Sequence, residues 1–233
     1  MNKNIINIIG FIPAKKNSQG LKNKNLKKLN NLSLFELAIL SAKKSKFINK
    51  IYLSSDSNEI LNRAKKLKIN LIKRKKSLSS NYATANSVIL DFIKNNIKIA
   101  NDDSIIVYLQ PTSPFRNNIH IDQAIQEFIK KKIRFLLSVT ENKNFYKSLK
   151  KNQDTLSPYF KDELVSKNRQ GLKRIYIPNG AIYIFYASDF LKKKKLSFKK
   201  TGYFLMNKIN SVDIDDHEDY ELAKFLSKKY LKL

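Results

Sequence analysis

Residues 5–25, which read IINIIGFIPAKKNSQGLKNKN, pass directly from an apolar run into a loop of lysine and asparagine with a single glycine. Residues 5–12 are almost wholly apolar, which is typical of a strand that is covered on both faces of a parallel sheet. Similar short runs recur along the chain, and we predict strands at residues 50–54, 69–72, 104–109, 135–140 and 180–186.

Longer amphipathic segments separate these runs. Ser33 and Glu36 have the spacing of a capping box, and Ile60, Leu61 and Ala64 fall on one face of a helix. The alternation of short apolar and long amphipathic segments predicts a doubly wound α/β domain with a mostly parallel sheet, whose ligand crevice lies at the carboxyl ends of the strands. The helices are predicted at residues 33–44, 57–67, 84–95, 119–131 and 218–230.

Residues 141–178 interrupt this rhythm. They are polar, they have no clear period, and they are too many for an ordinary connection between two elements. We therefore expect one domain over residues 1–233, with residues 141–178 as an inserted arm, and we expect the parallel pattern to resume after it.

The composition excludes several classes of protein. Hydrophobic residues make up 42% of the 233 residues and aromatic residues 11%, with 5 Gly and 5 Pro, so the chain is not collagen-like, linker-like or disordered. It has no cysteine, which excludes disulfides, thiolate metal sites and cysteine nucleophiles. No apolar run approaches the roughly 20 residues that cross a bilayer, and we expect a cytoplasmic protein.

The formal net charge of +27 raises the question of nucleic-acid binding. Such a protein needs basic residues clustered on one face, with aromatic side chains among them. The basic residues here are mostly lysines scattered along every segment together with abundant Asn and Ile, which indicates A/T-rich coding and solvated lysines. A basic nucleic-acid-binding module stays the non-enzymatic alternative. The charge would in either case speed encounters with anionic ligands.

The loop at residues 13–25 is the first candidate for chemistry. A loop that leaves the end of a first parallel strand can surround a triphosphate with backbone N–H groups, while Lys15 and Lys24 offset the negative charge. The loop has neither the ending of a Walker A sequence nor the glycines of a dinucleotide-binding fingerprint. The alternative is a solvated loop without function.

The segment YLQPTSPFR at residues 108–116 is the second candidate. Two prolines bracket a polar turn at the carboxyl end of a predicted strand, where the crevice of an α/β sheet opens. A rigid turn would explain the prolines but not Gln110 and Arg116 beside them.

The segment VDIDDHED at residues 212–219 concentrates acidic side chains in a chain that has 19 of them. If its first half is extended, Asp213 and Asp215 share one face while Ile214 points to the core. Two carboxylates with free coordination positions suit Mg²⁺, which takes substrate phosphates as further ligands. The later acids of this segment are explained by the start of a helix, whose N-terminus favours negative charge.

These segments, together with PNGAIYI at residues 178–184, resemble the acylneuraminate cytidylyltransferase family over nearly the whole chain. The loop at residues 13–25 resembles A-R-x-x-S-K-G-[LI]-x-x-K-N, and residues 74–83 resemble a degenerate R-P-x-x-L-A-S-D-x-A. Residues 109–116 are similar to L-Q-P-T-S-P-L-R, and residues 213–219 match D-I-D-x-x-x-D. The matching positions outside the last segment include Ala14, Ser18, Gly20, Leu21, Lys24, Asn25, Arg74, Leu78, Ser80, Ala83, Gln110 and Arg116.

The resemblance implies a Rossmann-like fold of the nucleotide-diphospho-sugar transferase type and the transfer of CMP from CTP to the anomeric hydroxyl of an acidic nine-carbon sugar. It implies Mg²⁺ at Asp213 and Asp215, and catalytic roles for these two and Lys24. The nucleotide would be bound by Lys15, Ser18, Gly20, Lys24, Asn25, Arg74 and Ser80. The sugar would be bound by Gln110, Arg116 and Asn179.

In the family, the region equivalent to residues 141–178 is a dimerisation arm that reaches over the site of the partner. The resemblance therefore implies a homodimer, with Lys147, Arg169 and Gln170 supplying polar contacts to sugar or phosphate. Acceptors of the legionaminic or pseudaminic type, or an eight-carbon ketosugar acid, stay open as alternatives. The chain departs from the family pattern at Lys15, Gln19, Lys22 and Asn81, and the departure at Gln19 removes a charge from the triphosphate loop.

Overall fold

The computed structural model describes residues 7–97, 104–142 and 144–231, and the first two residues of the predicted strand at 5–12 lie outside this range. The strands are β1 (Ile8–Pro13), β2 (Lys28–Leu29), β3 (Leu32–Ser33), β4 (Lys50–Ser55), β5 (Asn70–Lys73), β6 (Ile105–Tyr108), β7 (Phe135–Glu141), β8 (Leu149–Asn152), β9 (Thr155–Pro158), β10 (Tyr176–Tyr186) and β11 (Gly202–Leu205).

The predicted helices are all present, with ends that differ by one or two residues. Ser33 and Glu36 form the predicted capping box, because the Ser33 backbone N–H donates to Glu36 Oε2 over 2.9 Å. The α-helices are α1 (Leu34–Lys43), α2 (Asn58–Lys65), α3 (Ala85–Asn96), α4 (Asn118–Lys130), α5 (Asp162–Ser166), α6 (Ala187–Lys193) and α7 (His217–Tyr230). No helix in the described ranges is long and apolar enough to cross a bilayer.

Among the described residues, the main sheet has the strand order β11-β7-β10-β6-β1-β4-β5. The strand β1 pairs in parallel with β4 and β6, and β5 and β11 are also parallel to their neighbours. The prediction that residues 180–186 resume the parallel pattern was wrong, because β10 runs antiparallel to both β6 and β7. The chain leaves β7 into the arm and returns beside it without a crossover helix, which a parallel pair would need.

Helices cover both faces of this sheet, as the doubly wound prediction requires. One apolar cluster joins the sheet to α1, α2 and α4, and a second joins its other face to α3 and α6. Adjacent residues of β1 point to opposite faces, so that Ile12 belongs to the first cluster and Phe11 to the second. Phe11 stacks on Phe92 of α3 with ring centroids 4.0 Å apart. Each fully buried side chain of this size contributes roughly 1.5–3 kcal/mol.

A third apolar cluster fixes where the acidic segment lies. Ile214 is fully buried against Leu21 of the first loop and Phe115 of the Pro-bracketed turn. The segment at residues 212–215 is not part of a strand, and the Ile214 N–H donates to the carbonyl of Thr112 over 2.9 Å. Burial of one isoleucine thus holds two distant loops together.

The arm is narrower than predicted at its ends. Glu141 and Thr140 pair with Tyr176 and Ile177 inside the main sheet, so the part of the arm outside this sheet lies between residues 142 and 175. It contains the β8–β9 hairpin and the short helix α5. The assignment of residues 1–233 to one domain stays a prediction.

Candidate functional site

A cleft of about 500 Å³ opens at the carboxyl ends of β1, β5 and β6, where Pro13, Arg74 and Tyr108 line it. The three predicted segments and the segment at residues 74–83 all contribute to its wall. The cleft is lined by Pro13, Lys15, Ser18, Gln19, Gly20, Lys24, Asn25, Arg74, Leu78, Ser80, Ala83, Thr84, Ala85, Val88, Tyr108, Gln110, Pro111, Thr112, Asp213 and Asp215.

Lys24 links the first loop to the acidic segment. It is only 8% exposed, and its Nζ donates to the backbone carbonyl of Ile214 over 2.7 Å. The same Nζ forms an ion pair with Asp215 Oδ1 at 3.0 Å. The Asp215 side chain is 79% exposed, so solvent screens this pair and most of the fixation comes from the buried bond to the carbonyl.

Gly20 allows the close approach of these two segments. A Cβ atom at this position would lie 2.3 Å from the backbone carbonyl oxygen of Asp215. Neither the loop backbone nor the acidic segment can give way cheaply, because Leu21 and Ile214 on either side are buried in the same cluster. Glycine at position 20 is therefore a packing requirement of the cleft.

The rest of the first loop is tied down by its own side chains and by β4. Asn25 is buried and its Nδ2 donates to the carbonyl of Lys15 over 2.8 Å. The Lys16 N–H donates to Asp56 Oδ1 over 2.8 Å. These bonds do not involve the Lys15 ammonium, which has no ion pair to any described residue. Because Lys15 lines the cleft, its ammonium can bind a ligand there.

Asp213 is the least satisfied carboxylate in the cleft. Its Oδ1 is buried and has no hydrogen-bond partner within the described ranges. Burial raises the pKa of the Asp213 carboxyl, a hydrogen bond with Thr112 lowers it, and the nearby Asp215 raises it further. A buried carboxylate oxygen without a donor needs a cation to favour its charged form.

These two aspartates are compatible with Mg²⁺. No cluster of three or more metal-ligating side chains occurs in the part of the chain that the structure describes. Mg²⁺ is often held by one or two carboxylates, with water and substrate phosphates as the remaining ligands. The unpartnered Asp213 oxygen and the exposed Asp215 carboxylate fit that kind of site.

Arg74 and Tyr108 form the opposite wall of the cleft. Arg74 is buried, and its Nε and Nη2 donate to the hydroxyl and the carbonyl of Ser54 over 3.1 and 2.8 Å. Burial raises the pKa of Tyr108 to about 12, while a hydrogen bond with Gln110 and the charge of Arg74 act in the other direction. Tyr108 thus stays a neutral phenol that is hydrogen-bonded to Gln110 and close to the charge of Arg74.

Gly180 brings the segment at residues 178–184 close to Gln110 and Asp213. Its φ is +76°, and a Cβ there would lie 2.8 Å from Gln110 Oε1 and 3.0 Å from Asp213 Oδ2. Both the backbone conformation and the two side chains thus require glycine. Gln110 and Asp213 consequently face the same point of the backbone.

Asn179, Arg116, Lys147 and Gln170 do not line this cleft. Asn179 is buried, and its side chain bonds Ser138 and Ser211. Arg116 is also buried and bonds protein groups only. Lys147, Arg169 and Gln170 belong to the arm, in the 3₁₀-helices Phe145–Lys147 and Arg169–Gly171.

Sequence reasoning missed several cleft residues. Tyr108 and Thr112 flank the predicted Gln110, and Val88 reaches the cleft from α3. Their positions next to a strand end were visible in the sequence, but nothing there separates a cleft residue from a core residue. The β10 strand, which carries Gly180 to the cleft, was expected to run the other way.

Comparisons with known proteins identify the family of this chain. A family model described as cytidylyltransferase matches residues 9–232. An N-acylneuraminate cytidylyltransferase of Escherichia coli O18:K1:H7 is 31% identical over 95% of this chain, which spans only 52% of that protein's length. A pseudaminic acid cytidylyltransferase of Campylobacter jejuni is 29% identical over 94% of this chain and 95% of its own.

A solved structure has the same fold. The structure of a CMP:2-keto-3-deoxy-manno-octonic acid synthetase complexed with CTP superposes with a TM-score of 0.71, over 96% of this chain and 99% of that chain. The sequence identity is 12%, so this likeness concerns the fold alone. The nucleotidyltransferase fold that the sequence resemblance implied is confirmed.

Proposed function

The chain belongs to the cytidylyltransferase family, and we propose that it transfers CMP from CTP to the anomeric hydroxyl of an acidic nonulosonic sugar of the N-acylneuraminate type. The observation that carries this proposal is the meeting of the first loop and the late aspartates in one cleft, where Lys24 bonds Ile214 and Asp215. A cleft that combines lysines of the first loop with two aspartates suits a ligand that carries phosphates and uses a divalent cation.

The first loop would bind the triphosphate. Lys15 supplies a cation with no competing ion pair among the described residues, and backbone N–H groups of the loop supply further donors. Ser18 and Gly20 line the same wall, and Asn25 keeps the Lys15 carbonyl turned inward. The replacement of a lysine by Gln19 leaves this wall with one charge fewer than the family pattern has.

Asp213 and Asp215 would hold Mg²⁺, which when bound would neutralise charge that develops on the phosphates of CTP. Lys24 would keep the Asp215 backbone in register with the loop and add positive charge on the same side. Arg74 and Ser80, which line the opposite wall, would bind the cytosine and ribose. Nothing in this arrangement requires a side-chain nucleophile.

The reaction is a single displacement at phosphorus. The anomeric oxygen of the sugar forms a bond to the α-phosphorus of CTP, the bond from that phosphorus to the bridging oxygen breaks, and pyrophosphate leaves with its electron pair. The hydroxyl proton passes to the surrounding water. The residues of this chain contribute alignment of the two substrates and neutralisation of negative charge.

Gln110 and Asn179 would serve the sugar. Gln110 lines the cleft and lies against Gly180, and the buried Asn179 side chain holds the adjoining backbone through Ser138 and Ser211. We also propose a homodimer whose arm, with Lys147, Arg169 and Gln170, completes the sugar site of the partner. The solvent-exposed β8 strand of the arm supports this second part, since it has little core of its own.

A second candidate acceptor is a diamino nine-carbon acid of the pseudaminic or legionaminic type. The pseudaminic acid relative matches over nearly its whole length, and its identity to this chain is close to that of the N-acylneuraminate relative. The residues proposed to bind CTP and Mg²⁺ would have the same roles with either acceptor.

The test offers the purified protein CTP, Mg²⁺ and one acidic sugar at a time, with CMP-sugar and pyrophosphate measured. The sugars are N-acetylneuraminic, pseudaminic, legionaminic and an eight-carbon ketosugar acid. We expect the fastest product formation with N-acetylneuraminic acid, and no pyrophosphate without an acidic sugar. Faster turnover of another acid would transfer the assignment to it, and absence of product with all four would refute the function.

A further inference from the structure

We propose that Arg116 is a positioning residue that sets the spacing between the Gln110 backbone and β10, and thereby the geometry of the acceptor side of the cleft. This inference rests on the proposed function, because the acceptor side is defined by that reaction. Arg116 was expected to touch the substrate, but it is 3% exposed and does not line the cleft.

The guanidinium of Arg116 joins two separate chain segments. Its Nη1 donates to the carbonyl of Gln110 over 2.9 Å and to the carbonyl of Ala181 over 3.0 Å. Gln110 follows β6, and Ala181 lies within β10. One planar donor group thus bridges the backbone of the cleft loop and the backbone of the neighbouring strand.

The contacts of Arg116 and Gln110 form a closed ring. Gly180 precedes Ala181, and a Cβ at Gly180 would lie 2.8 Å from Gln110 Oε1. Arg116 therefore holds the carbonyl of Gln110 next to Ala181, and the Gln110 side chain faces the adjacent Gly180. A change in the distance between the two carbonyls must move the Gln110 amide relative to Gly180 and Asp213.

Arg116 has no carboxylate partner in the described parts of the chain. Nη2 donates to Ser41 Oγ over 3.3 Å, and Nε is buried without a hydrogen-bond partner among the described residues. Burial lowers the pKa of the guanidinium to about 10, so the group stays charged near neutral pH. A buried cation that bonds only carbonyls and a hydroxyl is costly, because no carboxylate offsets the loss of its hydration.

This cost argues for a geometric role. Stability alone does not explain a desolvated arginine here, whereas the rigid planar fork of the guanidinium holds Nη1, which donates to both carbonyls, in one place. Lysine at this position would keep the charge but has a single ammonium on a flexible stem. Arg116→Lys therefore separates the geometry of the fork from its charge.

Ser41 provides a matched control. It lies in α1 and accepts from Nη2 of the same guanidinium, whereas both carbonyls accept from Nη1. Ser41→Ala removes one hydrogen bond of Arg116 and leaves both carbonyl contacts in place. Both variants should lower the melting temperature, but only Arg116→Lys should disturb the acceptor side.

The experiment compares the wild type, Arg116→Lys, Ser41→Ala, Gln110→Ala and the Arg116→Lys/Gln110→Ala double variant. Melting temperature, Kd for CTP, and KM and kcat for the acceptor sugar are measured. For Arg116→Lys we expect an increase in sugar KM of roughly tenfold with an unchanged Kd for CTP. In the Gln110→Ala background the same replacement should change sugar KM less than twofold, because the positioned side chain is absent.

The side-chain amide resonance of Gln110 gives a readout that does not depend on turnover. It should shift in Arg116→Lys and keep its position in Ser41→Ala. A wild type without product refutes the proposed function, and the amide shift then still decides the positioning role. An unshifted amide, an equal change in CTP and sugar parameters, or the same kinetic change in Ser41→Ala would overturn the inference. Failure of both Arg116→Lys and Arg116→Gln to fold would also overturn it, since Arg116 would then be a general stability residue.

Discussion

The cleft and the arm differ in what holds their loops in place. Around the cleft, Ile214, Leu21 and Phe115 are buried together, so apolar packing fixes loops from three distant parts of the chain. In the arm, all four residues of β8 are exposed. Its aromatic side chains pack mainly on each other, with Phe160 touching the rings of Phe145, Tyr146 and Tyr159 at centroid distances of 5.3, 5.6 and 5.3 Å.

This difference shows which region can carry chemistry by itself. In the cleft, a buried apolar cluster within a single chain fixes the distances between the loops. The arm has a small aromatic cluster and a hairpin, and such a unit buries too little apolar surface to be stable alone in water. In the proposed homodimer, a second copy of the chain would bury the exposed surface of the arm.

The largest effect is expected for Asp215→Asn. The replacement removes one carboxylate charge from the proposed metal pair and weakens the contact with Lys24. Because the side chain is largely exposed, the fold should persist while kcat/KM falls by about 10²–10³-fold. The measurement is CMP-sugar formation with a melting curve, and Glu218→Gln in the exposed start of α7 is the control. Turnover close to that of the wild type would contradict the metal assignment.

Gly20→Ala and Gly171→Ala compare the two regions directly. At position 20 the new methyl would meet the Asp215 carbonyl oxygen at 2.3 Å, whereas at position 171 it would meet the flexible end of Lys167 at 2.9 Å. We expect Gly20→Ala to weaken CTP binding about tenfold or more, with overpacking of about 1–3 kcal/mol. Gly171→Ala should leave CTP binding unchanged. Calorimetric titration with CTP measures both, and similar affinities would refute the packing argument for Gly20.

Gln110→Ala tests the acceptor half of the cleft. Its side chain faces Gly180 and Asp213. We expect sugar KM to rise roughly tenfold, which is the loss of about one hydrogen bond, with little change in Kd for CTP. Steady-state kinetics with each substrate varied in turn separates the two. An equal effect on both substrates would mean that Gln110 only shapes the turn.

Phe160→Ala should affect the arm more than the core. The central ring of the aromatic cluster is lost, so we expect the fraction of dimer at micromolar concentration to fall while the main melting transition moves by only a few degrees. Light scattering after size exclusion gives the mass. An unchanged mass would remove the cluster from the proposed interface, and a monomeric wild type would refute the homodimer.

The smallest effect concerns the pH dependence of stability and His120, which lies in α4 with its Nε2 3.0 Å from Asn210 Nδ2. Burial and then the charge of Arg116 lower the pKa of His120, and its Nδ1 accepts from the Asn117 N–H. The unfolded chain therefore binds a proton before the folded one, and stability should fall as pH drops below about 6.5. Urea unfolding at several pH values measures this, and His120→Gln should flatten that part of the profile. An unchanged slope in the variant would assign the effect to other groups.

The sequence was sufficient for the elements that depend on local chemistry. The apolar run at residues 104–109 became β6, and Ser33 and Glu36 formed the expected capping box. Short buried runs and helix caps are specified by neighbouring residues, so these predictions needed no knowledge of the rest of the chain. The cleft residues Lys24, Gln110, Asp213 and Asp215 were found by their side-chain chemistry at strand ends, and the structure places all four at one cavity.

The direction of β10 and the location of the Arg116 side chain could not be read in the same way. An apolar run has the same pattern in a parallel and an antiparallel strand, and direction depends on which neighbour the returning chain meets. An arginine beside a polar turn suggests a contact with a ligand. The carbonyls that Arg116 actually binds belong to residues 110 and 181, which are 71 residues apart and come together only in the folded chain.

The amino-acid sequence by itself determined the α/β class, the positions of the main helices and strands, and the chemical groups of the cleft, because burial patterns and caps act over a few residues. The tertiary structure alone decided which of these groups line the cleft and which are buried behind it. That choice depends on contacts such as Gly20 with Asp215 and Arg116 with Ala181, which exist only after distant segments have packed.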